Sequence, residues 1–349
     1  MKNKINILII LIISGLVSHS CKNDGEILHK NITGSAYELI VVISDDSWNG
    51  VPGKVIQESL GQFQVGLPQD EPIFSLVNVP KDGFKSIFKS TRNILITTIS
   101  STIAEPQIIF KDDIWAYPQA TVELKAKNAE EWAKVYKENE NKITSYFLAA
   151  EKERMTMNYN KFYEKGVYNV LDRDFGVTMK VPPGFEIASQ KNDFIWYRYD
   201  TPNIEQGIVL YSIPYVSDST FTINYLVNVN DRILKTNVPG PTEGSYPNVE
   251  KRFDQDFHVF KHNGNYASEM RGLWSTVNDF MGGPYVLLAE LDHANQRVII
   301  AYGYVYAPGK DKRNLINQVE AMIYSLKLNN QEDNNKLNSQ TNMEIDVEG

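Results

Sequence analysis

This sequence of 349 residues contains very few cysteine and histidine residues, one and five respectively. The single cysteine, Cys21, excludes a disulfide framework, a cysteine-rich zinc site and an iron–sulfur cluster. Basic residues are also in deficit, with 35 Lys and Arg against 43 Asp and Glu and a net charge of -8. Because nucleic-acid binders carry a basic surface, we predict no nucleic-acid partner.

The sequence also lacks a hydrophobic run long enough to cross a membrane as a helix. Its longest apolar stretch, Ile5–Val17, follows Lys2 and Lys4 and is shorter than the roughly 18 residues that a spanning helix needs. A short apolar core behind basic residues is typical of a secretory signal peptide. We therefore predict a signal peptide over residues 1–20 and a water-soluble mature chain.

The only cysteine lies four residues beyond this stretch. Residues 16–21 read Leu-Val-Ser-His-Ser-Cys and resemble a bacterial lipobox, in which a peptidase cuts before a cysteine that is then acylated, for example with palmitate. We predict lipidation of Cys21, a tether over residues 21–34 and a place in the bacterial cell envelope, at the outer membrane. An ordinary secretory signal with an incidental cysteine remains the alternative. The sequence leaves periplasmic and cell-surface orientations open.

Hydrophobic periodicity predicts two domains after the tether, over residues 35–165 and 166–328. The first contains apolar strands at 36–43 and 92–99 and a long helix that begins at Asn128 with a capping-box pattern. The second contains strand pairs, one of them joined by an Asn263-Gly264 turn, and a final helix capped by Asp311. We predict an α+β fold of two domains with mainly antiparallel sheet packed with helices, and a disordered tail over 329–349.

Several short segments, in this order, are similar to a known family. They are Asp45–Gly50, Leu67–Gln69 with Glu71–Pro72, Arg92–Ile94, Trp115–Gln119, Glu269–Trp274, Phe280–Pro284, and Tyr304–Pro308 with Lys312–Arg313. Together they resemble a bacterial, Bacteroidota-type lipoprotein family catalogued as domain-of-unknown-function family 4837. The resemblance spans about residues 36–326 and implies a lipoprotein of the cell envelope. It implies no reaction, since the family carries no established activity.

The polar turn after the first strand contains the first candidate binding residues. Asp45, Ser47 and Asn49-Gly50 resemble the opening of a calcium loop, but Ile56 occupies the position where a bidentate glutamate is required. A capped turn between a strand and a helix is therefore favoured over a metal site. Asp45, Asp46 and Trp48 remain binding candidates, because polar and aromatic groups beside a strand end often form sites.

The second group of candidates lies on a predicted strand near the middle of the second domain. Glu269 and Arg271 are two residues apart, so their side chains share one face of the strand. They form either a pocket ion pair that recognises an anion or a cross-strand surface pair. Arg92 and Trp274, from the family-like segments, complete the binding candidates.

No segment predicts a metal, a cofactor or a catalytic residue. His258 and His262 have the spacing of zinc ligands on a helix, but their segment is predicted as a strand, where they would lie about 13 Å apart. The sequence contains no nucleophile elbow and no dinucleotide or phosphate-binding loop. Whether the protein is an enzyme is left open.

The leading functional hypothesis is a lipid-anchored envelope protein that binds a partner protein or a small ligand, or serves as a scaffold. The alternative is an envelope hydrolase that uses a carboxylate pair about 5–9.5 Å apart, for which Glu290 and Asp292 are the candidates. A purely architectural role in an envelope complex is a third possibility.

Overall fold

The computed structural model describes residues 30–329. The predicted signal peptide, Cys21 and residues 330–349 lie outside this range. The α-helices of the described residues are α1 Asp45–Asn49, α2 Val51–Leu60, α3 Ser86–Lys89, α4 Ala129–Lys161, α5 Lys165–Val170, α6 Ile223–Asn237 and α7 Arg313–Ile323. Within the same range, no helix combines the length and the apolar character needed to cross a membrane.

The strands fall into an N-terminal and a C-terminal group. The first group is β1 Lys30–Asn31, β2 Glu38–Val42, β3 Ser75–Val79, β4 Asn93–Ile99, β5 Gln107–Asp112, β6 Ala116–Tyr117 and β7 Ala120–Ala126. The second is β8 Val177–Thr178, β9 Glu186–Lys191, β10 Phe194–Thr201, β11 Ile204–Pro214, β12 Tyr246–Val249, β13 Asp256–His262, β14 Asn265–Val277, β15 Gly282–Asp292, β16 Arg297–Tyr306 and β17 Lys327–Leu328.

The N-terminal half is built on a sheet with the strand order β3-β2-β4-β7-β5. The pairings of β2 with β3, β2 with β4 and β4 with β7 are parallel, and only the edge strand β5 is antiparallel. Helices α2 and α4 cover one face, and α3 with its neighbouring aromatics covers the other. Strands buried on both faces read as continuous apolar runs, which is the pattern of residues 38–43.

The C-terminal half is built on a sheet with the strand order β12-β14-β15-β16-β11-β10-β9, with β13 also paired to β14. Every pairing in this sheet is antiparallel. Helix α6 packs on one face and α7 on the other, so the sheet has a hydrophobic core on each side. The predicted α+β class, with mainly antiparallel sheet packed with helices, is confirmed. The mainly parallel N-terminal sheet and the parallel β1–β6 pair depart from it.

Helix α4 joins the two halves without a break. Asn128 caps it, since the Asn128 side chain accepts a hydrogen bond from the Glu131 backbone N–H at 2.9 Å. The helix packs on the N-terminal sheet through Trp132 and Phe147, and Tyr159 near its end belongs to the core of the other half. The predicted boundary at residue 165 falls just after this helix.

Two local predictions differ from the structure. Residues 30–34 were expected in the tether, but β1 pairs with β6, and Thr33 forms a bridge with Thr91. Asp311 was expected to cap the final helix. That helix instead begins after Lys312 with no cap from its own segment, and its first amides are bound by Glu71 of the other half.

Candidate functional site

The α6 face of the C-terminal sheet carries a pocket of about 480 Å³ beyond the end of α6. Its floor comes from β14, β16 and β10, which alternate with β15 and β11 in the sheet and contribute Trp274, Tyr304 and Trp196. Its wall comes from the segment that follows α6, which contributes Val238, Pro239, Gly240, Pro241 and Pro247. The three large rings are buried by their neighbours, so we call this cavity the aromatic pocket.

Two glycines allow the aromatic side chains to lie against the sheet. Gly207 is the direct neighbour of Tyr304 across β11 and β16, and a Cβ at position 207 would come within 2.3 Å of the Tyr304 ring. Gly283 is paired with Trp274, and a Cβ there would lie 3.2 Å from the Trp274 indole nitrogen and still closer to the Val305 carbonyl. The rings of Trp274 and Tyr304 meet edge to face at 5.5 Å.

Hydrogen bonds hold these rings in one arrangement. The Trp196 indole N–H donates to the Tyr304 hydroxyl at 3.0 Å, and this hydroxyl donates to the Glu205 carboxylate at 2.5 Å. The Trp274 indole N–H donates to the Val305 carbonyl at 3.2 Å. Burial, and then the neighbouring Glu205 charge, raise the pKa of Tyr304 well above its ordinary value. The phenol therefore stays protonated and keeps its donor role near neutral pH.

Arg198 is the cation of the pocket. Its guanidinium lies 5.1 Å from the Trp196 ring centre and 3.4 Å from the Glu205 carboxylate, and it contacts Asp200 at 3.5 Å. The Arg198 side chain is 36 % exposed. Because a guanidinium has five N–H donors, it retains donors for a further acceptor group.

The wall of the pocket is ordered by its own hydrogen bonds. Gly240 N–H donates to the Ser245 carbonyl at 2.8 Å, and the Ser245 hydroxyl donates to the Thr242 carbonyl at 2.6 Å. The Thr242 hydroxyl reaches Asp279 in the β14–β15 loop at 2.9 Å, next to Met281, which lines the pocket. Prolines and these bonds make the wall rigid, so the pocket is preformed.

The predicted pair Glu269 and Arg271 lies on the opposite face of β14, at a cavity of about 420 Å³ between the two halves. The two side chains form an ion pair, with Glu269 buried. Arg271 also contacts Glu320 of α7 at 3.0 Å, and Lys152 of α4 lies 3.6 Å from Glu320. The arrangement is an ion pair beside a pocket. The carboxylates of Glu269 and Glu320 already pair with the Arg271 guanidinium.

This cluster shifts the pKa values of its members. Burial lowers the pKa of Lys152, opposed by Glu320. Burial also works against the charge of Arg271, but Glu320 and Glu269 raise its pKa. For Glu269 burial favours the neutral acid, yet the charge and hydrogen bond of Arg271 and the hydroxyl of Tyr324 lower its pKa below 4.5.

The lowered pKa of Glu269 predicts an acid-sensitive contribution to stability. A carboxyl whose pKa is lower in the folded state stabilises the protein fully above its unfolded-state pKa and loses this effect as the pH falls through the folded-state value. Denaturant titrations of wild type and Glu269→Gln should therefore differ by a constant free energy of unfolding above about pH 5.5, and by less on acidification. A difference that grows below pH 4.5 would contradict this assignment.

Arg92 lies in a different buried network, at the start of β4. Its guanidinium contacts the buried Glu151 carboxylate of α4 at 3.0 Å. The same carboxylate oxygen accepts hydrogen bonds from Asn93 at 2.7 Å and from Arg154 at 2.9 Å. Arg154 also donates to the carbonyls of Arg92 and Pro118. Arg92 and Arg154 thus share one buried carboxylate.

Asp45, Asp46 and Trp48 form the short helix α1, which follows β2. Ser44 caps this helix, and Asp45 accepts a hydrogen bond from Asn78 at 3.0 Å. An Asp or Ser of this segment was expected to cap the helix that follows it, but Ser44 caps α1 itself, and α2 begins after Gly50 with no side-chain cap. Because β2 and β4 are parallel, α1 lies at the opposite end of the sheet from Arg92.

The carboxylates considered as a catalytic pair and the histidines considered as zinc ligands make separate contacts within the protein. The buried Glu290 is bound by His262 at 2.7 Å and by Asn265 at 2.7 Å. Asp292 is bound by Arg297 at 2.9 Å. His258 and His262 lie on β13 as predicted, although His262 is buried. In residues 30–329 no group of three metal-ligating side chains is close enough to hold an ion.

The structure thus places the predicted residues at four separate sites, and only Trp274 belongs to the aromatic pocket. Sequence reasoning missed Trp196, Arg198, Glu205 and Tyr304. A signal was present for two of them, since Trp196 and Arg198 are two residues apart on a strand and so share a face. Nothing local indicated that Tyr304 would lie beside them.

Two family models match the chain. Residues 164–325 match the family described as "Domain of unknown function (DUF4837)", and residues 32–160 match another, "Domain of unknown function (DUF8532)". The predicted resemblance to family 4837 is confirmed for the C-terminal half, and the N-terminal segments assigned to it fall within the second match. No curated protein matches the chain.

Solved structures show only a remote likeness. The Saccharomyces cerevisiae Ran-binding protein Mog1p is 10% identical over 44% of this chain and 90% of its own, with a TM-score of 0.30. The lipid transfer and protein localization domain of human StarD13 is 9% identical over 42% of this chain and 88% of its own, with a TM-score of 0.22. A Bacteroides thetaiotaomicron protein is 9% identical over 44% of this chain and 45% of its own, with a TM-score of 0.19. Values this low carry no functional argument.

Proposed function

We propose that this chain, whose residues 164–325 match the DUF4837 family, is a lipid-anchored envelope protein that binds a small amphipathic ligand in the aromatic pocket. The preformed pocket is the observation that carries the proposal. A concave, mainly apolar cavity with a few convergent polar groups is the common form of a small-molecule site. The volume of about 480 Å³ lies within the range of such sites.

The chemistry of the lining defines the ligand. Both indole N–H groups donate within the protein, so the tryptophans offer their ring surfaces rather than donors. Proline rings and Met281 form the opposing surface. Arg198 supplies free donors at the edge. A ligand with a flat apolar or carbohydrate ring and a carboxylate or hydroxyl acceptor fits this combination.

The anchored location rests on the sequence. The lipobox-like segment that ends at Cys21 supports acylation, and two or more acyl chains are sufficient for durable attachment. Mass spectrometry of the membrane fraction tests this part. Cys21 that is unmodified, or a chain cut elsewhere, would contradict it.

Filling the pocket should weaken ligand binding. Ala188 is an exposed residue of the edge strand β9 that lines the pocket, so Ala188→Trp adds a ring there without disturbing a core. A panel of sugars and aromatic carboxylates is screened by thermal shift and by intrinsic tryptophan fluorescence, to which Trp196 and Trp274 contribute two of the five tryptophans. We expect one class to bind, and Ala188→Trp to weaken that class at least about tenfold.

A second variant separates the polar contact from the apolar one. Arg198→Gln should weaken acidic ligands by about ten- to a hundredfold, because charged hydrogen bonds contribute about 1.5–3 kcal/mol. The matched control is Arg232→Gln, an exposed arginine of α6 outside the pocket lining. The proposal is wrong if no compound binds, or if binding is unchanged in Ala188→Trp.

A further inference from the structure

We propose that β13 is the contact between two copies of this chain, which pair edge to edge as antiparallel strands around a two-fold axis at Val259. The strand, Asp256–His262, is hydrogen-bonded to β14 on one side only, so its other side is an edge of the sheet. The inference depends neither on the aromatic pocket nor on the lipid anchor proposed above.

The turn between β13 and β14 determines which backbone groups of β13 point outward. Both residues of this turn, 263–264, have positive φ angles, which is the form of a two-residue type I′ turn. Such a turn is closed by a hydrogen-bonded pair, here His262 with Asn265, and hydrogen-bonded pairs recur at every second residue of the ladder. The backbone groups that point away from β14 are therefore those of residues 257, 259 and 261. Within residues 30–329 no hydrogen bond reaches them.

The other edge strands of this sheet are protected against pairing. β12, which continues the same edge, contains Pro247, and Asp231 binds the Val249 N–H of β12 at 2.8 Å. The opposite edge strand, β9, is interrupted by a bulge. β13 has seven residues with neither a proline nor a bulge. An edge without these protections is a template for pairing with another chain.

Exposed apolar side chains accompany this edge on the α6 face of the sheet. Val259, at the centre of the strand, is 45% exposed. Tyr266 of β14 is 42% exposed, and its ring meets that of Phe221 at 4.8 Å. Phe253, three residues before the strand, is 54% exposed and lines a cavity of about 490 Å³ together with Ile223. Clustered exposed apolar groups of this kind mark interaction surfaces.

The strand is complementary to a second copy of itself. With the axis at Val259, the outward groups of Val259 pair with those of Val259 in the second copy, and those of Phe257 pair with those of Lys261. Every outward position thus faces another outward position. Asp256 lies at one end of the strand and Lys261 near the other, so antiparallel copies bring an acidic end beside a basic end. The contact closes after two copies, which is the property of a two-fold interface.

Disulfide trapping tests the position of the axis. A strand edge buries less than the roughly 800 Å² per partner of a standard interface, so the expected dimer is weak and is detected best by trapping. The mature chain with Cys21→Ser contains no thiol, and Val259→Cys then places one on the axis. Opposed residues of a hydrogen-bonded pair have Cα atoms about 5.5 Å apart, within the range of a disulfide.

Two control positions in the same Cys21→Ser chain give the comparison. Lys261→Cys is exposed on the same strand, but its two copies would be about 14 Å apart, too far for a disulfide. Val216→Cys, at an 80% exposed position of the C-terminal half, gives the rate of random collision. Under mild oxidation we expect Val259→Cys to form disulfide dimers at least about tenfold faster than either control. Equal rates at 259 and 216 would overturn the proposal.

Hydrogen exchange of the Cys21→Ser chain distinguishes the possible occupants of the edge. The outward amides of β13 should exchange more slowly as the protein concentration rises, while the amides of His258 and Phe260, bonded to β14, stay protected throughout. Fast exchange of the outward amides at every concentration would count against the dimer. Protection that does not depend on concentration would also overturn it and would indicate a segment of the same chain as the occupant.

A proline variant isolates the contribution of the outward N–H groups. Val259→Pro removes the central outward donor and no hydrogen bond to β14, since proline is tolerated on an edge strand where its nitrogen faces solvent. It should abolish the concentration dependence of exchange at residues 257 and 261. The matched control, Val259→Thr, retains the N–H and the branched side chain and should preserve this dependence. Concentration dependence that survives in Val259→Pro would show that β13 is not the contact.

Discussion

Replacing Glu151 with alanine is expected to lower the free energy of unfolding by about 3–5 kcal/mol, because removal of one partner leaves uncompensated buried charge. The Glu151 carboxylate is 1% exposed and is contacted by Arg92 at 3.0 Å and Arg154 at 2.9 Å. Without it, two guanidinium groups face each other beneath α4. Urea denaturation monitored by circular dichroism measures the loss.

Glu153 provides the control for this change. It lies two residues further along α4 and is exposed, so Glu153→Ala should change stability by less than about 0.5 kcal/mol. Similar effects of the two substitutions would show that the Glu151 network contributes little. The result also bears on Arg92, since a large loss would identify this arginine as a structural partner of Glu151 rather than a ligand-binding group.

Replacing Glu71 with alanine is expected to cost about 2–4 kcal/mol and to loosen the contact between the two halves. The Glu71 carboxylate is buried and accepts hydrogen bonds from the backbone N–H groups of Lys312 at 2.7 Å and Arg313 at 2.8 Å. These amides open α7, whose positive dipole end favours a carboxylate. Arg313 reaches back and donates to the Pro72 carbonyl at 2.6 Å.

Hydrogen exchange locates this effect. In Glu71→Ala the amides of Lys312 and Arg313 should exchange much faster than in wild type, because they lose their acceptor. Gln69 lies in the same loop, is exposed, and bonds Asp311 at 3.2 Å, so Gln69→Ala is the matched control and should leave both amides protected. Unchanged exchange in Glu71→Ala would rule out the capping role.

The Glu71 contact shows why part of the structure could not be predicted. Capping was assigned to Asp311 because caps are usually the residue just before a helix. The observed acceptor is 241 residues away from Lys312, and no local pattern specifies such a pairing. By contrast, the cap of α4 was predicted from Asn128 and Glu131, which are three residues apart and interact within one turn.

The same distinction applies to the sheets. The apolar run of residues 36–43 predicted a buried strand, and the structure has β2 there, over Glu38–Val42. Its parallel pairing with β3 and β4 was not predicted, because the direction of a neighbour depends on the path of the connecting chain. The antiparallel hairpin at Asn263-Gly264 was predicted, since a two-residue turn determines its own pairing.

The amino-acid sequence by itself determined the position of most helices and strands, the α+β class and the resemblance of the C-terminal half to family 4837. These properties depend on side-chain periodicity and on contacts a few residues apart. Only the tertiary structure decided which candidate residues share a site. Trp196 and Tyr304 are 108 residues apart and meet because β10, β11 and β16 are neighbours in one sheet, an order set by the packing of the whole half.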